Sequence, residues 1–89
     1  MVVKTRVAAR DGRLVEVRFR ANRRVAIRES ELPRPPPREV SLMCMGEEVK
    51  MRLTAVQFGF AVYYMSADSE RRLVELLERH GRVPCVLNY

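Results

Sequence analysis

The sequence predicts an α+β fold: a curled antiparallel β-sheet of five or six strands, made of two hairpin units, with one α-helix near the C-terminus. Three observations predict it. Short segments that alternate apolar and polar residues, the period of a half-buried strand, fill most of the first 65 positions. Gly12 and Gly46 separate such segments at points where a hairpin must turn. One stretch, Ser66 to Gly81, instead carries its apolar residues at helical spacing. A chain of 89 residues allows a single domain, burying about 64% of its unfolded surface. The order expected along it is a basic three-stranded meander (1–28), a Pro-rich connection (29–38), apolar strands (39–65), a helix (66–81) and a terminal strand (83–89).

The first two strands, Val2 to Ala9 and Leu14 to Arg20, flank Arg10-Asp11-Gly12. A three-residue loop wants its last residue left-handed, where glycine fits. That loop pairs Val7 with Val15, Thr5 with Val17 and Val3 with Phe19, and on the other face Arg6 with Glu16 and Lys4 with Arg18. A two-residue Asp11-Gly12 turn would mix the faces, because a one-residue slip exchanges them. A third strand, Arg24 to Arg28, follows a turn at Asn22-Arg23 and adds Val25 and Ile27 to the apolar face.

The polar face of this meander gathers Lys4, Arg6, Arg18, Arg20, Arg24 and Arg28, with Glu16 as the main counter-charge. Like charges side by side destabilise a sheet face, so an external anion is expected there. Charge distribution agrees. The chain carries +6 overall, yet residues 1–38 hold 11 bases and 4 acids, a net +7, and residues 39–89 hold 6 bases and 7 acids. Fifteen of the 17 bases are arginine, whose planar fork suits phosphate and carboxylate.

Pro33, Pro35, Pro36 and Pro37 cannot donate to a sheet ladder, so 29–38 is expected as a stiff extended connection. Its Pro-Arg-Pro-Pro-Pro-Arg run also has the composition of a proline-rich recognition ligand. Val40 to Met45 and Val49 to Thr54 form a second hairpin, and Gly46-Glu47 suits a type II′ turn that takes glycine first. That register pairs Cys44 with Val49, Leu42 with Met51 and Val40 with Leu53, and places Met43, Met45 and Ser41 beside Lys50 and Arg52. Burial of Met43 and Met45 under another element is expected, a flexible contact surface being the alternative.

Val56 to Met65 is the most apolar stretch, with Phe58, Phe60, Val62 and Tyr64 on one face, and is expected as a central strand. Its residues Gln57-Phe58-Gly59-Phe60-Ala61-Val62-Tyr63-Tyr64 resemble the sliding-clamp-binding box, a glutamine followed three residues on by an aliphatic and then by paired aromatics. Phe60 departs from the usual aliphatic residue. The resemblance implies a docking peptide.

Ser66 is a fitting N-cap, and Asp68 and Glu70 suit the positive start of a helix. Leu73, Leu76, Leu77 and His80 follow helical spacing, with Val74 at the margin, and Gly81 and Pro84 end the element. Asp68–Arg72, Arg71–Glu75 and Glu75–Arg79 are spaced for ion pairs. With 4 acids against 3 arginines, this helix lacks the basic face of a DNA-reading helix. The tail from Val83 to Tyr89 reads as a short edge strand, because Pro84 cannot donate.

Enzyme chemistry finds no motif, so the chain is expected not to be an enzyme and to need no cofactor. His80 is the only histidine and falls at a helix end. Cys44 and Cys85 lie far apart without ligand neighbours, so no metal site is expected. They are expected reduced in a cytosol, a Cys44–Cys85 disulfide being credible for a hyperthermophile. No apolar run approaches the roughly 18 residues of a membrane span, and Met1 to Arg10 lack a signal-peptide core, so the expected compartment is the cytoplasm and no membrane partner is expected.

The expected function is non-enzymatic binding of DNA or RNA by a homodimer, through the phosphate backbone and with weak sequence preference. Lys4, Arg6, Arg18, Arg20, Arg24 and Arg28 are the expected contacts, with Lys50 and Arg52 extending the patch. No aromatic is expected among the first-half cations, since Phe19 reads inward, so base stacking has no candidate there apart from Tyr63, on the reverse face of its strand, and Tyr89 near the chain end. The alternative is a small interaction subunit that docks an acidic partner protein, with Met43/Met45 or Tyr63/Tyr64 in the interface.

Overall fold

Among the residues described by the structure, a computed structural model covering 3–80 and 85–89, seven strands close into a mixed β-barrel. They are β1 (Val3–Ala8), β2 (Leu14–Arg20), β3 (Arg24–Arg28), β4 (Glu39–Cys44), β5 (Glu47–Gln57), β6 (Phe60–Met65) and β7 (Cys85–Asn88), with α1 (Ala67–His80) before the last. The order around the barrel is β1-β2-β3-β6-β5-β4-β7. The open antiparallel sheet of five or six strands is thereby corrected. Closure comes from β7, which lies antiparallel to β4 and parallel to β1 through the pair Ala8–Val86. The tail is therefore not an edge strand. Its partners lie some 40 and 80 positions upstream, and nothing local in the sequence signals such pairings.

The first meander has the register that its faces require. Val7 faces Val15, Thr5 faces Val17, Val3 faces Phe19, Arg6 faces Glu16 and Lys4 faces Arg18. Gly12 takes φ +89, and the Ala9 amide donates to the Arg13 carbonyl at 2.8 Å, closing the three-residue loop. Asp11 holds that loop by accepting from the Arg13 amide at 3.1 Å and from its guanidinium at 2.6 Å. The amide first and the guanidinium second keep the Asp11 carboxyl below its usual range.

Two other turns differ from expectation. β4 and β5 meet in a two-residue turn of Met45 (φ +52) and Gly46 (φ +85), so Leu42 faces Val49 and Val40 faces Met51. The expected register is shifted by two residues, which leaves the faces unchanged. The segment from Val56 to Met65 is not one strand: β5 runs on to Gln57, the chain turns at Phe58 (φ +53) and Gly59 (φ +79), and β6 returns from Phe60. Positive φ at both central positions is the type I′ geometry, which favours Asn-Gly. Met and Phe there cost about 1–2 kcal/mol each.

The inward faces supply the core: Val15, Val17, Val25, Ile27, Leu42, Val49, Tyr63 and Leu87 are fully buried. The Cys44–Cys85 disulfide lies inside the barrel, across directly paired positions of β4 and β7, which corrects the expectation of reduced cysteines. The Pro-rich connection is not extended throughout: it opens with a 3-10 turn, Glu29–Glu31, and is then held against the barrel. Leu32 plugs the core, the Tyr63 hydroxyl donates to the Pro37 carbonyl at 2.8 Å and the Leu53 amide donates to the Arg38 carbonyl at 2.8 Å.

Ser66 caps α1, its hydroxyl oxygen accepting from the Ser69 amide at 3.1 Å. Leu73 enters the core, Leu76 packs beside it and Val74 is exposed. None of the three expected i,i+4 ion pairs closes; the helix pair that forms is Asp68–Arg71, three residues apart instead of four. Val2, Gly81 and Pro84, and the side chains of Leu77 and His80, lie outside the described residues. Among the described residues no helix is long and apolar enough to cross a membrane.

Candidate nucleic-acid interface

Strand alternation turns Lys4 and Arg6 of β1, Arg18 and Arg20 of β2, and Arg24 and Arg28 of β3 to the outer surface of the barrel. β6 continues this surface next to β3, and β5 lies beyond it. Two cross-strand rows organise the face. In one, Arg20 lies opposite Arg24, Arg24 opposite Tyr64, and Tyr64 opposite Arg52. In the other, Arg28 lies opposite Phe60 and Phe60 opposite Gln57. Between the rows stand Ala26 and Val62. Ala26 points outward yet is fully buried, so the longer side chains around it lie over it.

The expectation of a face without aromatics is overturned here. Phe60 is surrounded by guanidinium groups, with Arg18 at 4.8 Å, Arg28 at 5.7 Å and Arg20 at 5.8 Å from its ring centre. Arg23 lies 5.0 Å from the ring centre of Tyr64. Such contacts are worth about 0.5–1 kcal/mol each at exposed sites, and they hold the arginines along the sheet rather than splayed into water. Sequence reasoning did not place Phe60 and Tyr64 among these cations because it ran one strand through the Phe58-Gly59 turn and left β6 without a neighbour, and it left Arg23 in a turn. The pairing of β3 with β6 joins residues more than 30 positions apart.

Counter-charge comes from few groups: Glu39 of β4 stands opposite Arg52, and Glu70 and Glu29 line the hollows beside Arg24 and Arg28. Glu16 meets Arg18 at 3.3 Å and Arg28 at 3.9 Å, and Lys50 meets Glu48 at 3.7 Å. Among the described residues, Lys4, Arg6, Arg20, Arg24 and Arg52 have no carboxylate within ion-pair distance. Four of the eight expected contacts, Arg20, Arg24, Arg28 and Arg52, thus stand in these two rows, and Lys4, Arg6 and Arg18 lie on the outer side of β1 and β2. Lys50 lies apart from both rows, on the stretch of β5 that faces Ser41 of β4.

Beside the Arg24–Tyr64 row runs an open groove of about 840 Å³, lined by Asn22, Arg23, Arg24, Thr54, Ala55, Gln57, Val62, Tyr64 and Glu70. A bulge in β5 between Leu53 and Ala55 shapes its floor, and the Thr54 hydroxyl there donates to the Val62 carbonyl at 3.1 Å.

The other interface expectations fare differently. Tyr63 is fully buried in the core, so the paired aromatics of the clamp-box-like segment point to opposite faces and cannot dock together. Met43 and Met45 are exposed rather than covered. Met43 faces Val86, Val86 faces Ala8 and Ala8 faces Leu14, giving an apolar outer stripe across the closure of the barrel. Among the described residues, no three histidine, cysteine or acidic side chains gather as a metal site. The chain matches no protein-family model, no curated protein and no solved structure.

Proposed function

We propose that the protein is a non-enzymatic nucleic-acid-binding protein that holds the phosphate backbone on the outer face of β1, β2, β3, β6 and β5 with weak sequence preference. The observation that carries this reading is the row Arg20–Arg24–Tyr64–Arg52, in which two unpaired arginines stand directly opposite each other. Facing like charges cost stability, and a polyanion laid across the row removes that cost while releasing its own counterions. Arg20 and Arg24 are exposed and make no ion pair among the described residues; Arg20 contributes only a contact with the Phe60 ring, worth about 0.5–1 kcal/mol, so Arg20→Glu/Arg24→Glu should leave the barrel folded. Gel shifts with DNA and RNA should then show loss of binding in the double variant. Unchanged affinity would remove the face from the account.

The apolar stripe Leu14–Ala8–Val86–Met43 favours a second reading, that of a small interaction subunit whose cations dock an acidic protein. In the first reading the same stripe joins two copies as a homodimer. Met43→Lys separates these: sedimentation of the purified chain detects loss of a dimer, whereas loss of a co-purifying acidic protein after nuclease treatment favours the adaptor.

A further inference from the structure

We infer that the nucleic acid taken by this face is single-stranded, and that Phe58 at the tip of the β5–β6 turn is a residue on which one of its bases stacks. The inference rests on the binding face proposed above. Phe58 is 97% exposed, and its backbone sits at φ +53, a conformation in which Asn or Gly is the ordinary choice. Among the described residues nothing offsets either the strain or the exposed ring. Such an outlier points to a role outside the folding of the chain itself.

Its surroundings indicate which role. Phe58 borders a hollow of about 320 Å³ that it shares with Arg28, Glu29, Ser30, Arg34, Gly59 and Phe60, two guanidinium groups against one carboxylate. Arg28 belongs to the basic face, and Phe60 is the ring that carries its arginines. The exposed phenyl is therefore the end of a series of cations and aromatics that begins at the Arg20–Arg24 row. An aromatic beside guanidinium groups suits a ligand alternating flat apolar rings with phosphates. A duplex keeps the faces of its bases stacked and offers the tip only edges and backbone; a single strand offers the faces themselves. One ring is a small apolar area for anchoring in a bilayer.

The test uses the full chain, a single-stranded DNA of about 12 nucleotides with one 2-aminopurine, the matching RNA and the matching duplex. Phe58→Asn is the informative variant, because asparagine tolerates the turn and the protein should melt at higher temperature than the wild type. The wild type should bind single strands more tightly than duplex and quench the 2-aminopurine. Phe58→Asn should lose about 5- to 150-fold in single-strand affinity, lose the quenching and keep both its duplex affinity and its salt dependence. Equal single-strand affinity in Phe58→Asn, or preference for duplex, overturns the inference while leaving the basic face in place. Loss of all binding in Arg20→Glu/Arg24→Glu with Phe58→Asn unaffected also overturns it and spares the face. Failure of the wild type to bind any of the three probes overturns both readings, as does Phe58-dependent binding to anionic phospholipid vesicles without binding to the oligonucleotides.

Discussion

Tyr63 and Tyr64 show how much a single position decides. Adjacent in sequence, they sit on opposite faces of β6: Tyr63 fills the core and bonds Pro37, while Tyr64 lies exposed under Arg23. Alternation makes this split legible once the strand is known, but which of the two turns inward depends on where the strand begins. Phe58, an apolar residue at a turn position, hides that start. Burial pushes the Tyr63 hydroxyl up to about 12 from 10.0. The folded chain therefore keeps a proton that the unfolded chain releases near pH 10. This contribution to stability is complete below pH 10 and is lost as pH rises from 10 toward 12. Tyr63→Phe should be less stable than the wild type at neutral pH by about 1 kcal/mol, from the lost bond to Pro37. Urea titrations should show that difference shrinking across the same alkaline window; a constant difference would mean that Tyr63 does not titrate as a buried group.

Among the elements, legibility follows turn chemistry. The β1–β2 hairpin can be registered from sequence because Gly12 occupies the position that requires it. The other two glycine turns place Met45 and Phe58 in left-handed conformations that sequence reasoning assigns to Asn, Asp or Gly. The β4–β5 register is consequently misplaced by two residues in the sequence reading, and the β5–β6 hairpin reads as one strand. Met45→Asn should raise the unfolding free energy by about 1 kcal/mol, measured by urea denaturation, with no change in oligonucleotide affinity. In α1 the apolar stripe and the Ser66 cap are both readable, and the exposed charge pairs are not, since such pairs are weak and their rotamers are set by little. Leu73→Ala should cost about 2–5 kcal/mol, because Leu73 enters the core. A cost below about 1 kcal/mol would show that the helix is not anchored there.

The whole molecule depends on long-range closure, which alternation and turn signals do not encode. β7 is held by β4, by the Ala8–Val86 pair and by the Cys44–Cys85 disulfide. The two cysteines are 41 residues apart, and the linkage restricts the unfolded chain by about 4 kcal/mol on the chain-entropy account. Cys44→Ser/Cys85→Ser, or reduction, should lower the unfolding free energy by up to that amount. An unchanged melting temperature would show that the linkage does not form.

Closure also gives the charge its arrangement. Sequence alternation puts the excess charge in residues 1–38 and on one sheet face; the barrel adds β6 and β5 to that face, and with them Phe60, Tyr64 and Arg52. The most direct measurement is the affinity of the wild type and of Arg20→Glu/Arg24→Glu for a single-stranded oligonucleotide between about 50 and 200 mM salt. With four to six phosphates neutralised, the wild-type log affinity should fall against log salt with a slope of about −3 to −4, and the variant should bind far more weakly and with a shallower slope. Affinity that is independent of salt, or equal in the two proteins, would contradict the account.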